Sequence, residues 1–205
     1  MITYFRRYPI LSSGLATILA VIVCIALYFA YLIIKVPVKR FFTTLHHVYW
    51  DERSIEIDDF KGFPDYASNA NYNYFVGVYV DDHEHLERVY AKAFFDQKEA
   101  WIKDKKKFNK RFYLRVIQLK FNIMELYARE LNQNMYIMKC NHTISLDAIA
   151  KIMKYHEEQF KNIDMQIDQD LKGFNTSKLD QWEKQIQQEL VDNPPIDHKI
   201  CMNHQ

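Results

Sequence analysis

Ile10-Leu-Ser-Ser-Gly-Leu-Ala-Thr-Ile-Leu-Ala-Val-Ile-Val-Cys-Ile-Ala-Leu-Tyr-Phe-Ala-Tyr-Leu-Ile-Ile34 runs for twenty-five residues without a charge. At about 1.5 Å per residue a helix of that length measures roughly 37 Å, more than the roughly 30 Å of a bilayer's hydrocarbon core. A helix is how a single chain crosses that layer with its backbone hydrogen bonds satisfied. The stretch therefore reads as one transmembrane helix over 10–35, which places the protein in a membrane as a single-pass chain with the lipid bilayer as its first partner. A cleaved signal would carry a shorter apolar run and a small-x-small site. Here Tyr28 interrupts the only candidate, Ala26 to Ala30, and Lys35-Val36-Pro37-Val38-Lys39-Arg40 follows.

Orientation is less determined. Arg6 and Arg7 precede the span, whereas Lys35, Lys39, Arg40 and Arg53 follow it. Counting flanking cations leans toward a C-terminal domain on the cytoplasmic side. Arg6-Arg7 before a first apolar segment equally fits an N-inside anchor, so the side stays open.

Moving outward, residues 1–9 form a short polar tail, and Pro37 breaks the helix by lacking an amide hydrogen. Val38, Phe41, Phe42, Leu45 and Tyr49 then recur at helical spacing, which predicts an interfacial or continuing helix over 36–50. Gly62, Pro64, Ser68 and Asn69 mark 51–80 as a linker. Within it, Ser54 to Asp58 and Asn73 to Val80 alternate like strands and predict a small two-stranded ribbon.

Residues 81–192 read as a bundle of three to four helices. The first starts at Asp81 or Asp82 and runs to about Lys103, with Leu86, Val89, Tyr90, Ala93, Phe94 and Trp101 on one side. The second covers Phe108 to Lys139, where Phe112, Val116, Leu119, Ile123 and Leu126 step by four and three. The third, capped by Thr143 or Ser145 and ended by Gly173, carries Leu146, Ile149, Met153, His156, Phe160, Ile163 and Ile167 at coiled-coil spacing. A last helix starts at Thr176 or Ser177, carries Leu179, Trp182, Ile186 and Leu190, and stops at Asn193-Pro194-Pro195. A polar tail occupies 193–205. The expected class is thus mostly α, a membrane helix followed by a helical bundle.

Twenty-seven basic and 26 acidic residues give a net charge of +1, which offers no electrostatic reason to expect nucleic acid as a partner. The densest basic run, Lys103 to Lys107 (with Asp104 inside it) plus Lys110 and Arg111, fits a solvated face. Four glycines argue against Gly-rich phosphate loops. Cys140 and Cys201 suit either a disulfide or two thiols. Asn141-His142-Thr143 and Asn175-Thr176-Ser177 match the glycosylation sequon, where composition alone yields about 0.7 matches by chance.

Ligand chemistry is thin. His83, His85 and Glu87 in the Asp81-Asp82-His83-Glu84-His85 cluster, together with His156, are the candidate metal donors, but their spacing matches neither the Glu-x-x-His nor the His-Glu-x-x-His pattern. Acidic residues at a helix start already serve its dipole, so no metal or other cofactor is expected. No serine or cysteine sits in a nucleophile signature, and the chain does not read as an enzyme. The residues expected to carry interactions are the small stripe Ser12, Ala16 and Ala20 in the span, where a neighbouring helix fits, and the seam Leu146, Ile149, Met153, His156, Phe160, Ile163 and Ile167. Those features point to a structural or assembly subunit that binds protein partners, or its own copies, through its helical domain. The alternatives are a sensor or regulatory bundle and a metal-dependent tethered enzyme.

Overall fold

The computed structural model describes residues 21–29, 44–81 and 86–196. The chain divides into two compact units, Met1–His46 and His47–Gln205. Within the first, residues 21–29 are helical (α1) and exposed.

The membrane span expected at 10–35 is not supported. Among the described residues no helix is long and apolar enough to cross a membrane. The rest of the expected span lies outside the described residues, as do Ser12, Ala16 and Ala20 of the small-residue stripe. The single-pass placement and the lean toward the cytoplasmic side are likewise not supported. Hydropathy registers how apolar a run is, not which residues become helical.

The second unit is α+β rather than a helical bundle. Three strands, β1 (His47–Tyr49), β3 (Val76–Asp81) and β4 (Tyr90–Asp96), form an antiparallel sheet in the order β1-β4-β3. β2 (Tyr72–Asn73) and β5 (Trp101–Ile102) pair as a second small antiparallel sheet. Three helices follow: α2 (Lys110–Cys140), α3 (Leu146–Asp170) and α4 (Thr176–Asp192).

Three local expectations are corrected here. Residues 81–103 hold β4 and β5 rather than a helix. Tyr90-Ala-Lys-Ala-Phe-Phe-Asp96 is apolar at both parities, so a three-four reading fits as well as a two-residue one. Pairing with β3, Val76 opposite Phe95 through Asp81 opposite Tyr90, decides the matter. Ser54–Asp58 does not pair with the segment after Asn73; Ile57–Asp59 forms a single 3-10 turn, and Arg53 donates to Asp59. Of the helix expected over 36–50, residues 36–43 lie outside the described residues, and His47–Tyr49 forms β1 instead, pairing with β4 through His47 opposite Asp96.

α2 is the core of the unit. Its buried residues, including Val116, Ile117, Phe121, Ile123, Tyr127 and Leu131, fall on more than one side. The helix must therefore be covered by the sheet, by α3 and by α4. Polar side chains fix each cover. Asn132 accepts from the Ala91 N–H and donates to the Ala91 carbonyl, at 2.7 and 2.8 Å, standing in for a neighbour strand where β1 has ended. Arg115 reaches Asp180 and Glu183 of α4, and Arg129 donates to the carbonyls of Leu190 and Asn193 at the α4 C-terminus. Side-chain caps start the helices: Asn109 accepts from Phe112 N–H, Ser145 from Ala148 N–H and Asn175 from Lys178 N–H.

The coiled-coil seam expected along α3 is not a continuous zipper. Ile149 and Ile167 are buried, Leu146 is exposed, and Met153, Phe160 and Ile163 are half-buried.

Candidate functional site

Between α3 and the edge of the sheets lies a groove of about 1250 Å³. One wall is the extended run Asn69–Val78, through β2 and into β3. The opposite wall is α3, through Met153, His156, Phe160 and Asp164. α2 supplies the floor with Met124, Tyr127 and Leu131. Phe108, Tyr113 and Phe174 close one end, with ring centroids 5.1 Å apart for Phe108–Tyr113 and 5.8 Å for Tyr113–Phe174.

The local sequence explains the walls. Tyr72-Asn-Tyr-Phe-Val-Gly-Val-Tyr-Val80 is rich in aromatic and β-branched residues and stays extended. Its parity follows from two bonds: Lys103 N–H donates to the Asn71 carbonyl and Asp96 N–H to the Phe75 carbonyl. Antiparallel pairing alternates, so odd-numbered residues exchange bonds with β5 and β4. The N–H and C=O groups of Val76, Val78 and Val80 point away from β4 and have no partner among the described residues. Val76, Val78 and Val80 share a face with their partners Phe95, Ala93 and Ala91, and α2 packs on that sheet.

Across the groove, Lys120 joins α2 to α3. Its ammonium is 2.6 Å from Asp164 and 2.8 Å from Asp168, and its side chain is only 4% exposed. Burial alone would lower its proton affinity. Tyr74 and the hydrogen bonds to Asp164 and Asp168 outweigh that and hold the ammonium above its ordinary range.

Further along, the Tyr127 and His156 rings stack with centroids 5.1 Å apart. The Tyr127 hydroxyl and both His156 ring nitrogens are buried without a hydrogen-bond partner among the described residues. Glu130 lies 3.5 Å from His156 Nδ1. Burial pushes the Tyr127 hydroxyl up to about 12. Burial also lowers His156, against the opposing pull of Glu130, so the imidazole is neutral at pH 7.

Of the residues singled out from sequence, Met153, His156 and Phe160 line the groove, while Ile149 and Ile167 are buried elsewhere in the core. His83, His85 and the Glu87 side chain lie outside the described residues, so His156 is not shown to meet them. Among the described residues no three His, Cys, Asp or Glu side chains converge to hold a metal ion. Cys140 is a free thiol. Sequence reading missed Tyr72, Tyr74, Lys120 and Tyr127. The uncharged alternating run at 72–80 was the available signal for the strand wall, and Lys120 inside an otherwise apolar helical stretch was the signal for the buried cation.

No family model matches the chain, and no match was found among curated proteins or solved structures.

Proposed function

We propose that this domain is a protein-binding module, a structural or assembly component that receives a linear stretch of a partner polypeptide in the groove between β3 and α3. The groove itself carries the reading. Its roughly 1250 Å³ exceeds the roughly 300–1,000 Å³ usual for small-molecule sites. Its shape, one extended backbone facing one helix over an apolar floor, suits a chain rather than a compact ligand. Aromatic and methionine side chains, the types enriched at protein interfaces, line it: Tyr72, Tyr74, Tyr113, Met124, Met153 and Phe160.

The test is selection of random dodecamer peptides displayed on phage against the full chain, followed by binding titrations of the enriched sequences. Enriched peptides should lose at least about tenfold in affinity to Phe160→Glu, which puts a charge on the groove wall. They should be indifferent to Val191→Glu, at an exposed site on α4. No enrichment, or equal sensitivity to both variants, refutes the reading.

A further inference from the structure

We infer that the groove's occupant binds as an added β-strand, pairing with the free edge of β3, and that it is an extended segment with uncharged apolar residues at alternate positions. This deepens the proposed function and rests on it.

The chemistry comes from the edge itself. Val76, Val78 and Val80 present an N–H and a C=O each, spaced two residues apart and directed away from β4, with no partner among the described residues. Such a row is complementary to another extended backbone, because a strand repeats donors and acceptors at the same spacing. A helix cannot satisfy it, since its own backbone groups are already paired.

Natural sheets protect free edges with inward-pointing lysines, prolines, bulges or very short strands. Tyr72 to Val80 carries no proline and no charged residue. The unpaired row runs over Val76, Val78 and Val80, along the six-residue β3. α3 stands opposite and confines access to the groove. The absence of the usual guards is expected where a strand belongs.

Side-chain preference follows from the two faces of an added strand. Its residues on the side shared with Val76 and Val78 meet Met124, Tyr127 and Leu131 on α2 and Phe160 on α3. An ionised group there would be desolvated beside apolar surface at high cost. Residues of the other parity face away from α2 and are free to be polar.

The experiment uses the full chain and the dodecamers enriched from the display library, in two readouts. Amide hydrogen exchange by NMR should show Val76, Val78 and Val80 exchanging faster than Gly77 and Tyr79 in the free chain, and slowing at least about tenfold with peptide bound. N-methylation at successive peptide bonds of the dodecamer should weaken binding with a period of two, about tenfold or more at one parity and little at the other. Val78→Pro removes an N–H that the sheet does not use, so it should fold while losing the peptide. If that variant unfolds, the methylation scan still decides. Dodecamers that bind without the two-residue period, or without protecting the even-numbered amides, overturn strand addition and leave the groove reading standing. Failure to enrich any dodecamer removes the groove reading and this inference with it.

Discussion

The Lys120 junction between α2 and α3 makes an asymmetric prediction. Lys120 is 4% exposed, whereas Asp164 and Asp168 are 33% and 63% exposed at the side chain. Lys120→Met keeps most of the aliphatic stem packed and removes only the ammonium. The two carboxylates left behind reach water and rehydrate. The loss is then that of partly screened charged hydrogen bonds, about 1–2 kcal/mol. The double variant Asp164→Ala with Asp168→Ala does the opposite: it leaves a buried ammonium with no carboxylate and the Tyr74 side chain as its remaining hydrogen-bond partner among these three. Uncompensated buried charge costs about 3–5 kcal/mol, and the value expected here is near the lower end because Lys120 stands close to the surface that Asp168 occupies.

Urea unfolding of the full chain at pH 7, followed by far-ultraviolet circular dichroism, separates the two. The ammonium's raised proton affinity makes its contribution fully present at pH 7 and lost only as pH rises beyond the ordinary lysine range, so the pair is intact under those conditions. The unfolding free energy should fall by about 1–2 kcal/mol for Lys120→Met and by about 3 kcal/mol or more for the double variant. A lysine variant as damaging as the double aspartate variant would refute the account. It would mean that the lysine matters through its packing or through contacts other than these carboxylates.

Other perturbations follow from single sites. Gly62→Ala places a Cβ 2.3 Å from the Lys98 carbonyl oxygen and 2.9 Å from that of Ala100, so unfolding measurements should show a loss above about 2 kcal/mol; a near-neutral variant would contradict that packing. Asn132→Ala leaves the buried Ala91 N–H and C=O unpaired and should cost about 2–3 kcal/mol by urea titration, against under about 1 kcal/mol if β4 does not depend on the side chain. Tyr127→Phe removes a buried hydroxyl that has no partner among the described residues, so stability should stay level or rise by up to about 1 kcal/mol; a clear loss would reveal a partner for that oxygen. His156 faces Tyr127 and Glu130 of α2, with Tyr155 and Glu157 beside it on α3, and folding depresses its pKa. Its neutral form contributes stability above about pH 6.5 that is lost as pH falls through the lower folded value, so wild type should lose ground to His156→Leu between pH 7.5 and pH 5; a pH-independent difference would exclude this.

The helical half was legible because its signals are local. Phe112, Val116, Leu119, Ile123 and Leu126 define α2, and Asn193-Pro194-Pro195 ends α4 where proline forbids continuation. Of the sheet, only the alternation at Asn73–Val80, which holds most of β3, was legible, because the contacts that decide β1 and β4 lie far apart in sequence. Phe94 belongs to a strand only in the presence of Gly77 and Tyr49 on either side of it. Read alone, the same residues satisfy a helical stripe with Tyr90 and Trp101. The apolar run at 10–34 is a different case: hydropathy measures transfer preference, and among the described residues no helix is long and apolar enough to cross a membrane. Within the groove, Met153, His156 and Phe160 were visible as one helix face, but a face does not reveal whether another helix or an open channel lies against it. His156 was the clue: a titratable ring in the middle of an apolar stripe marks a place where the stripe does not close.

The groove is a consequence of how α2 is covered. Its 31 residues exceed the 25 of α3 and the 17 of α4, and buried side chains occur on more than one of its sides. α4 is fixed by Arg115 and Arg129, and the sheet by Asn132. α3 is held near its C-terminal end, where Lys120 meets Asp164 and Asp168 and Trp182 donates to Asp170. Its N-terminal end is tied by the short connection through Ser145. The middle of α3, around His156, meets α2 through Glu130, 3.5 Å from Nδ1, and through a ring whose buried nitrogens have no hydrogen-bond partner among the described residues. The same middle faces the unpaired backbone of Val76 and Val78. Unpaired side-chain atoms on one wall and unpaired backbone on the other therefore line one groove, and an entering strand would satisfy β3 while offering Tyr127 and His156 hydrogen-bond partners.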